Sequence, residues 1–347
     1  MKPLAARSVR VFLLRLSLCL VCVAAGSGLD AAGSDSIVER RLVAMGTSLS
    51  VRVEGRDRAG ALAASEAAVR EIERAEKLLS TWKAGGPMER LNRAAPGQSI
   101  ALPREAAELL ARVFAWRQRT AGAFDPTVLP LVLAWDLRGR GRWPAPTELD
   151  RALAATGTDR FDLDCERSLA SRRSPDAGID EGAWGKGYAL DRAVAALRLA
   201  GARSASLDLG GQVLVLGRAV VAIATPRNRT LAVASLEVDD SSVSTSGNSE
   251  RGLTVGGRRI GHILDPRTGR PAADFGSATA IAPSGLVADV LSTAFFVLGP
   301  EKGLAASERL RRAGFPNEAL FLVDSAGGLR AVFSPGLQTR LKFGETS

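Results

Sequence analysis

Ser204-Ala205-Ser206-Leu207-Asp208-Leu209-Gly210-Gly211-Gln212-Val213-Leu214-Val215-Leu216 reads as a strand, and two more follow it closely, Ala219 to Ala224 and Leu231 to Val238. Short apolar runs separated by turn residues are how neighbouring strands of one sheet look in a sequence. Upstream, Ile37 to Val53 alternates as paired strands do, with a turn or bulge at Met45-Gly46-Thr47. Between these strand regions the period changes. Residues Arg58 to Trp82 are rich in Ala, Glu and Arg, and Ala68, Ile72, Ala75 and Leu79 fall at helical spacing. Pro103, at a favoured first-turn position, opens a second helix reaching about Thr120.

Phe124 to Pro146, with its prolines and the Gly/Arg run Arg138 to Arg142, reads as irregular. Short strands at Arg160 to Cys165 and Gly178 to Asp180 lead to a helix from Gly185 to about Ala200. Downstream, a Ser/Gly turn is expected at Ser244 to Gly252, then a helix from Leu286 to Leu298 and a closing helix and strand. Antiparallel-looking strand runs with intervening helices, and no repeat or linker, predict an α+β fold. The expectation is a single compact domain over residues 37–347, with a mixed, largely antiparallel sheet and packed helices.

The composition is that of a globular protein: 347 residues, 46% hydrophobic and 24% charged. The first 25 residues differ. Lys2, Arg7 and Arg10 precede the apolar run Val11 to Ala25, which ends in small residues, so residues 1–25 read as a secretory signal peptide and 26–36 as a flexible N-terminal segment. Arg15 interrupts the run, which falls short of the roughly 20 apolar residues of a spanning helix. Export to the periplasm by cleavage is the expectation; retention as an inner-membrane anchor, or lipid modification at Cys19 or Cys22, are the alternatives. Cleavage would remove Lys2, Arg7, Arg10 and Arg15 and no acid, lowering the net charge from +9 to +5. That mild basic balance suits anionic small molecules or membrane surfaces, and no nucleic-acid module is present. Cys165 would remain alone, without a disulfide partner.

Three constellations could carry chemistry. The one histidine, His262, lies in Gly261-His262-Ile263-Leu264-Asp265-Pro266-Arg267-Thr268-Gly269-Arg270-Pro271, a turn-rich loop after a strand. An imidazole with Asp265 nearby suits proton transfer. Gly178-Ile179-Asp180-Glu181-Gly182-Ala183-Trp184-Gly185-Lys186-Gly187-Tyr188 joins a strand to a helix through glycines, which let backbone approach phosphate oxygens; the spacing is neither a dinucleotide nor a Walker A pattern, and a tight turn is the other reading. Asp289 and Thr293, four apart near a helix start, share a face and offer the hard oxygen ligands that Mg²⁺ prefers. Ala123-Phe124-Asp125-Pro126-Thr127 and Ser244-Thr245-Ser246-Gly247 add further polar groups.

In order along the chain, Met45-Gly46-Thr47, Ser80-Thr81-Trp82 through Leu91-Asn92, Ala123 through Thr127, Asp180 through Asp191, Leu209-Gly210-Gly211, Ser244 through Gly247, His262 through Pro271 and Ala288-Asp289 through Thr293 resemble the FAD:protein FMN transferase family, the ApbE-like flavin transferases. The resemblance spans almost the whole chain after the signal. It departs from the usual pattern at Trp82, where tyrosine is more frequent, at Gly86-Pro87, and at Glu181 and Trp184, where aliphatic residues are common. It implies flavin contacts from Met45, Trp82, Ala123, Phe124, Asp125, Asp180, Lys186 and Ile263, and Mg²⁺ ligands from the main-chain oxygen of Ala183 with Asp289 and Ser292 or Thr293. The implied substrate is FAD and the implied partners are threonine-bearing acceptor domains of membrane redox complexes.

The implied reaction has the acceptor threonine attacking the FMN-side phosphorus while AMP leaves; the loop chemistry itself adds the expectation that His262, oriented by Asp265, takes the threonine proton. An Mg²⁺-dependent FAD pyrophosphatase releasing FMN and AMP uses the same metal site, and a non-catalytic flavin-binding exported protein would need no competent metal pair. A nicotinamide dehydrogenase is disfavoured by the missing G-x-G-x-x-G turn.

Overall fold

Antiparallel strands build the main sheet of the computed structural model, in the order Arg7–Val9, Gly328–Phe333, Glu318–Ser325, Gly276–Ala282, Ser242–Gly247, Gln212–Leu216, Ser204–Leu209, Thr47–Glu54, Ile37–Ala44. The structure describes residues 7–9, 36–248 and 252–344; apart from Arg7–Val9 and Ser36, the signal-peptide and N-terminal-segment readings lie outside the described residues. The α+β class with a mostly antiparallel sheet is as expected.

The backbone sorts into two compact units, one from Met1–Glu73, Lys186–Ser249 and Asp274–Ser347, the other from Arg74–Gly185 and Glu250–Ala273. Each is assembled from separate stretches of chain, so no shift in composition marks a boundary between them.

The first unit holds the main sheet and a second sheet of Arg218–Thr225, Asn228–Asp239 and Leu341–Phe343. Val213, Val215, Val221, Ile223, Leu236, Leu320 and Leu322 form one buried apolar cluster. The helix Gly285–Arg312 packs on the strands Gly276–Ala282 and Ser242–Gly247. All seven residues of Gly276–Ala282 are buried, as expected of a strand covered on both faces. The helix kinks at Gly299, whose φ of 75° is non-helical, and Pro300 restarts it. The two helices read in the sequence, Leu286 to Leu298 and a closing one, thus meet at this kink.

Local chemistry explains the turns. Met45 and Gly46 link the paired residues Ala44 and Thr47 with φ of 49° and 70°, the two positive values of a type I′ hairpin turn. Gly210 and Gly211, at φ of 63° and 89°, break the run 204–216, which is a hairpin rather than one strand. A Cβ at Gly210 would sit 2.6 Å from the Thr47 hydroxyl, so only glycine fits this turn.

The second unit holds the helices Pro87–Arg93, Arg104–Arg119, Leu129–Ala134 and Pro146–Ala155, a small sheet of Ile100–Ala101, Leu169–Arg172 and Phe161–Asp164, and two short hairpins, Leu253–Val255 with Arg258–Ile260 and Leu264–Asp265 with Arg270–Pro271. Leu131, Trp135, Leu149, Ile260 and Leu264 pack together in its core. Gly178 makes only an isolated bridge to Val128 in place of the strand expected at Gly178 to Asp180.

Candidate active site

In the first unit the start of the Gly285–Arg312 helix is held by Asp191. Its carboxylate accepts the Gly285 and Leu286 amides, the latter at 3.0 Å, and the Ser284 hydroxyl at 2.6 Å, while Ser284 caps the helix by accepting from Val287. Gly187 lies against this turn so closely that a Cβ on it would sit 2.1 Å from the Gly285 carbonyl oxygen. Its amide donates to Asp289 Oδ2 at 3.0 Å.

Asp289 is only 4% exposed. Burial pushes its carboxyl up, against the pull of Lys186 and the Gly187 amide, and nearby Asp191 adds to the rise. Beside it lies a shelf of hydroxyls. Ser292 Oγ donates to the Asp289 carbonyl oxygen at 3.0 Å and is 3.2 Å from Ser244 Oγ and 3.0 Å from Ser246 Oγ; Ser246 Oγ is 3.4 Å from Thr293 Oγ1. Sequence places Ser244 to Gly252 in a turn, but Ser242–Gly247 is an inner strand of the main sheet, and that pairing is what brings Ser244 and Ser246 to the helix.

Among the described residues no group of three or more His, Cys, Asp and Glu side chains gathers. A cation here would take one carboxylate, hydroxyls and carbonyl oxygens, the hard donor set that Mg²⁺ accepts. The donors fit that ion, because a buried carboxyl raised by desolvation ionises most readily when positive charge arrives. Lys186 bears on two carboxyls of this unit, lowering both Asp289 and Asp208. Asp208, raised first by burial, accepts the Gly211 amide at 2.8 Å.

In the second unit Trp82 lies just past the helix Arg58–Leu79, in a loop whose backbone is tied down. Ser80 Oγ accepts the Trp82 amide at 3.2 Å and the Lys83 amide at 3.1 Å. Thr81 donates its amide to Glu181 Oε1 at 3.3 Å and its hydroxyl to Glu181 Oε2 at 2.5 Å. Arg138 Nη2 donates to Thr81 Oγ1 at 2.8 Å and to Asp180 Oδ2 at 2.5 Å, and its guanidinium lies over the Trp82 ring, 4.0 Å from the centroid. Burial and the Asp180 charge push the Glu181 carboxyl up, offset by the Thr81 bonds. Asp180 Oδ1 accepts the Gly182 amide at 2.8 Å and its carbonyl accepts Trp184 Nε1 at 2.8 Å, which fixes the turn that carries Ala183.

Ala123, Phe124 and Asp125 are buried. Asp125 pairs with Arg117 and accepts from the Thr127 amide at 2.8 Å and hydroxyl at 2.5 Å, so its carboxylate is engaged within the unit. Asp265 is paired with Arg267, which donates to both its oxygens through Nε and Nη2 at 2.8 Å each. The pairing is local, since Arg267 is two residues along the same turn and its amide also donates to Asp265 Oδ1 at 3.0 Å. Ile263 is buried, and its carbonyl accepts from Ala272 at 2.9 Å. In the first unit Met45 is half-buried in its turn. Sequence reasoning missed Arg138, which it read as one of a Gly/Arg run, and Asp191 as a helix anchor.

The model of the ApbE family matches residues 45–315. The "FAD:protein FMN transferase" of Klebsiella pneumoniae (strain 342) is 31% identical over 312 residues, covering 86% of this chain and 87% of the relative. The crystal structure of the ApbE protein of Thermotoga maritima superposes with a TM-score of 0.78 at 28% identity, covering 88% of this chain and 99% of the other. The Pseudomonas stutzeri flavinyl transferase ApbE in its apo form gives 0.75 at 27% identity, covering 92% and 100%.

Proposed function

Because the chain belongs to the ApbE family, we propose that it is an Mg²⁺-dependent FAD:protein FMN transferase that attaches FMN through a phosphoester to a threonine of a partner protein and releases AMP. The observation that carries this reading is the buried Asp289 carboxylate set beside the Ser292, Ser246 and Thr293 hydroxyls. Asp289, Ser292, Thr293 and the Ala183 main-chain oxygen would hold Mg²⁺, which when bound neutralises charge on the pyrophosphate and on the departing AMP.

The chain's own groups then have defined work. Lys186 brings positive charge to the phosphate oxygens, in a reaction where positioning and charge are most of what a protein supplies. Trp82 offers an indole face to the isoalloxazine ring. His262 accepts the threonine proton as the threonine oxygen bonds to the FMN-side phosphorus; the pyrophosphate bond breaks and its electron pair leaves with AMP. Asp265, committed to Arg267, holds the turn. Met45, Ala123, Phe124, Asp125, Asp180 and Ile263 belong to the flavin pocket in this proposal. It also includes export to the periplasm and acceptor domains in membrane redox complexes.

The test mixes the protein with FAD, Mg²⁺ and a threonine-bearing acceptor domain and reads acceptor mass and AMP. A gain of one FMN per acceptor with matching AMP, lost on adding EDTA, is the expected outcome. AMP and free FMN with no mass gain would replace the transferase by a pyrophosphatase, and neither product would leave a flavin-binding protein.

A further inference from the structure

We propose that Arg138 is a positioning residue for FAD, bracing Trp82 from behind so that the opposite indole face is presented ready-made to the flavin ring. This rests on Trp82 being the flavin platform. Trp82 is 63% exposed although Arg138 already covers one of its faces, so the open surface lies on the other face and the edge. A loop tryptophan with so little packing would sample several rotamers, and a ligand that stacks on it would have to bear the entropy of stopping them.

The bracing is built from both sides of the loop. Asp180 and Thr81 hold Arg138 Nη2, and Thr81 is in turn held by Glu181 through its amide and hydroxyl. The Arg138 and Asp180 side chains are largely buried, at 17% and 16% exposure, so their pairing is little screened by water. Arg138 Nε is buried and makes no hydrogen bond among the described residues, so the guanidinium spends a donor position in order to lie flat on the indole. Stacking on an aromatic face while bonding in the guanidinium plane is geometry that arginine satisfies and lysine does not. Glu181, a departure from the aliphatic residue common in the family, is the far anchor of this network.

The experiment is a cycle of Arg138→Ala, Trp82→Ala and the double variant, reading the FAD dissociation constant by calorimetry in EDTA and KM and kcat with acceptor and Mg²⁺. Arg138→Ala is expected to raise the FAD dissociation constant and KM roughly tenfold, the scale of one cation–π contact plus one immobilised side chain, with kcat at saturating FAD unchanged. Trp82→Ala should weaken FAD at least as much, and the double variant should be no weaker than Trp82→Ala alone, because a brace has nothing to do without its platform. Arg138→Lys should recover less than half of the loss.

If Trp82→Ala leaves FAD binding unchanged, the platform reading falls and the brace with it. If Trp82→Ala weakens FAD while Arg138→Ala does not, or adds fully to it, only the brace falls. Tighter FAD binding by Arg138→Ala would mean that Arg138 covers the face the flavin needs, and a fall in kcat with KM unchanged would place it in the chemical step; either overturns the proposal. Should Arg138→Ala fail to fold, Thr81→Val carries the test, since it cuts the link between Arg138 and Glu181 and should shift FAD affinity the same way.

Discussion

Gly187 donates its amide to the Asp289 carboxylate at 3.0 Å from a helix turn that touches the backbone of Gly285. One glycine thereby sets both the spacing of two helices and the orientation of the buried acid that would hold the metal.

Asp289→Asn follows most directly. The folded-state carboxyl is raised by burial, so its contribution to stability is fully present below the ordinary carboxylate range and is lost as pH rises through the raised value. Glu181 and Asp208 act in the same direction. Without metal, these three carboxyls should therefore lower the melting temperature as pH rises above about 4, the ordinary carboxylate value, against the opposite pull of Glu148, Asp162 and Glu237, which their basic partners hold low. Asp289→Asn should flatten part of that slope in EDTA while removing Mg²⁺-dependent transfer. Melting curves of both proteins across pH, with and without Mg²⁺, check this; an unchanged slope in the variant would show that Asp289 is not the group involved.

Gly187→Ala should be costly for a steric reason. The added methyl would have to displace the Gly285 carbonyl oxygen from 2.1 Å, and backbone cannot yield as a flexible side chain can. A loss of about 1–3 kcal/mol is expected, the usual range for overpacking a filled interior. Urea denaturation measures it, and Mg²⁺ affinity should fall with it because the amide that steers Asp289 moves as well.

How much of this was legible in the sequence depended on whether local pattern and burial agreed. The hairpin at Met45-Gly46 and the helix beginning at Gly185 declared themselves because period, turn chemistry and burial all point one way there. Ser242–Gly247 did not. Its serines and Thr245 look like a turn in isolation, yet the strand is interior, and its polar side chains are tolerated because they bond to the hydroxyls of the site and to Thr279. The short helices Pro87–Arg93, Leu129–Ala134 and Pro146–Ala155 were hidden by prolines that break helices in the interior but begin these. Arg138 was invisible because its partners Thr81 and Asp180 are 57 and 42 residues away.

His262 and Asp265 should separate on substitution. If His262 takes the acceptor proton, His262→Ala should lower kcat by about 10²- to 10⁴-fold and leave FAD affinity unchanged. Asp265→Asn breaks the pairing with Arg267 and loosens the turn, so it should cost stability without shifting the pH dependence of kcat. Parallel pH–rate profiles of the two variants check the division; a shifted profile in Asp265→Asn would return Asp265 to the proton path.

Trp135→Phe tests how the histidine loop is held. Trp135 is 2% exposed, and its Nε1 donates to the Gly269 carbonyl oxygen at 2.8 Å, across 134 residues of chain. Gly269 itself has φ of 70° and its amide donates to the Asp265 carbonyl oxygen at 2.8 Å, so the indole ties down the turn that closes the loop from Gly261 to Pro271. Phenylalanine keeps most of the apolar contact but leaves a buried carbonyl without its donor, which costs about 1–3 kcal/mol. Because the loss falls on the loop rather than on the apolar cluster, amide exchange should quicken at Thr268, Gly269 and Arg270 before it does in the Leu129–Ala134 helix. Equal quickening in both would mean that Trp135 acts through packing alone.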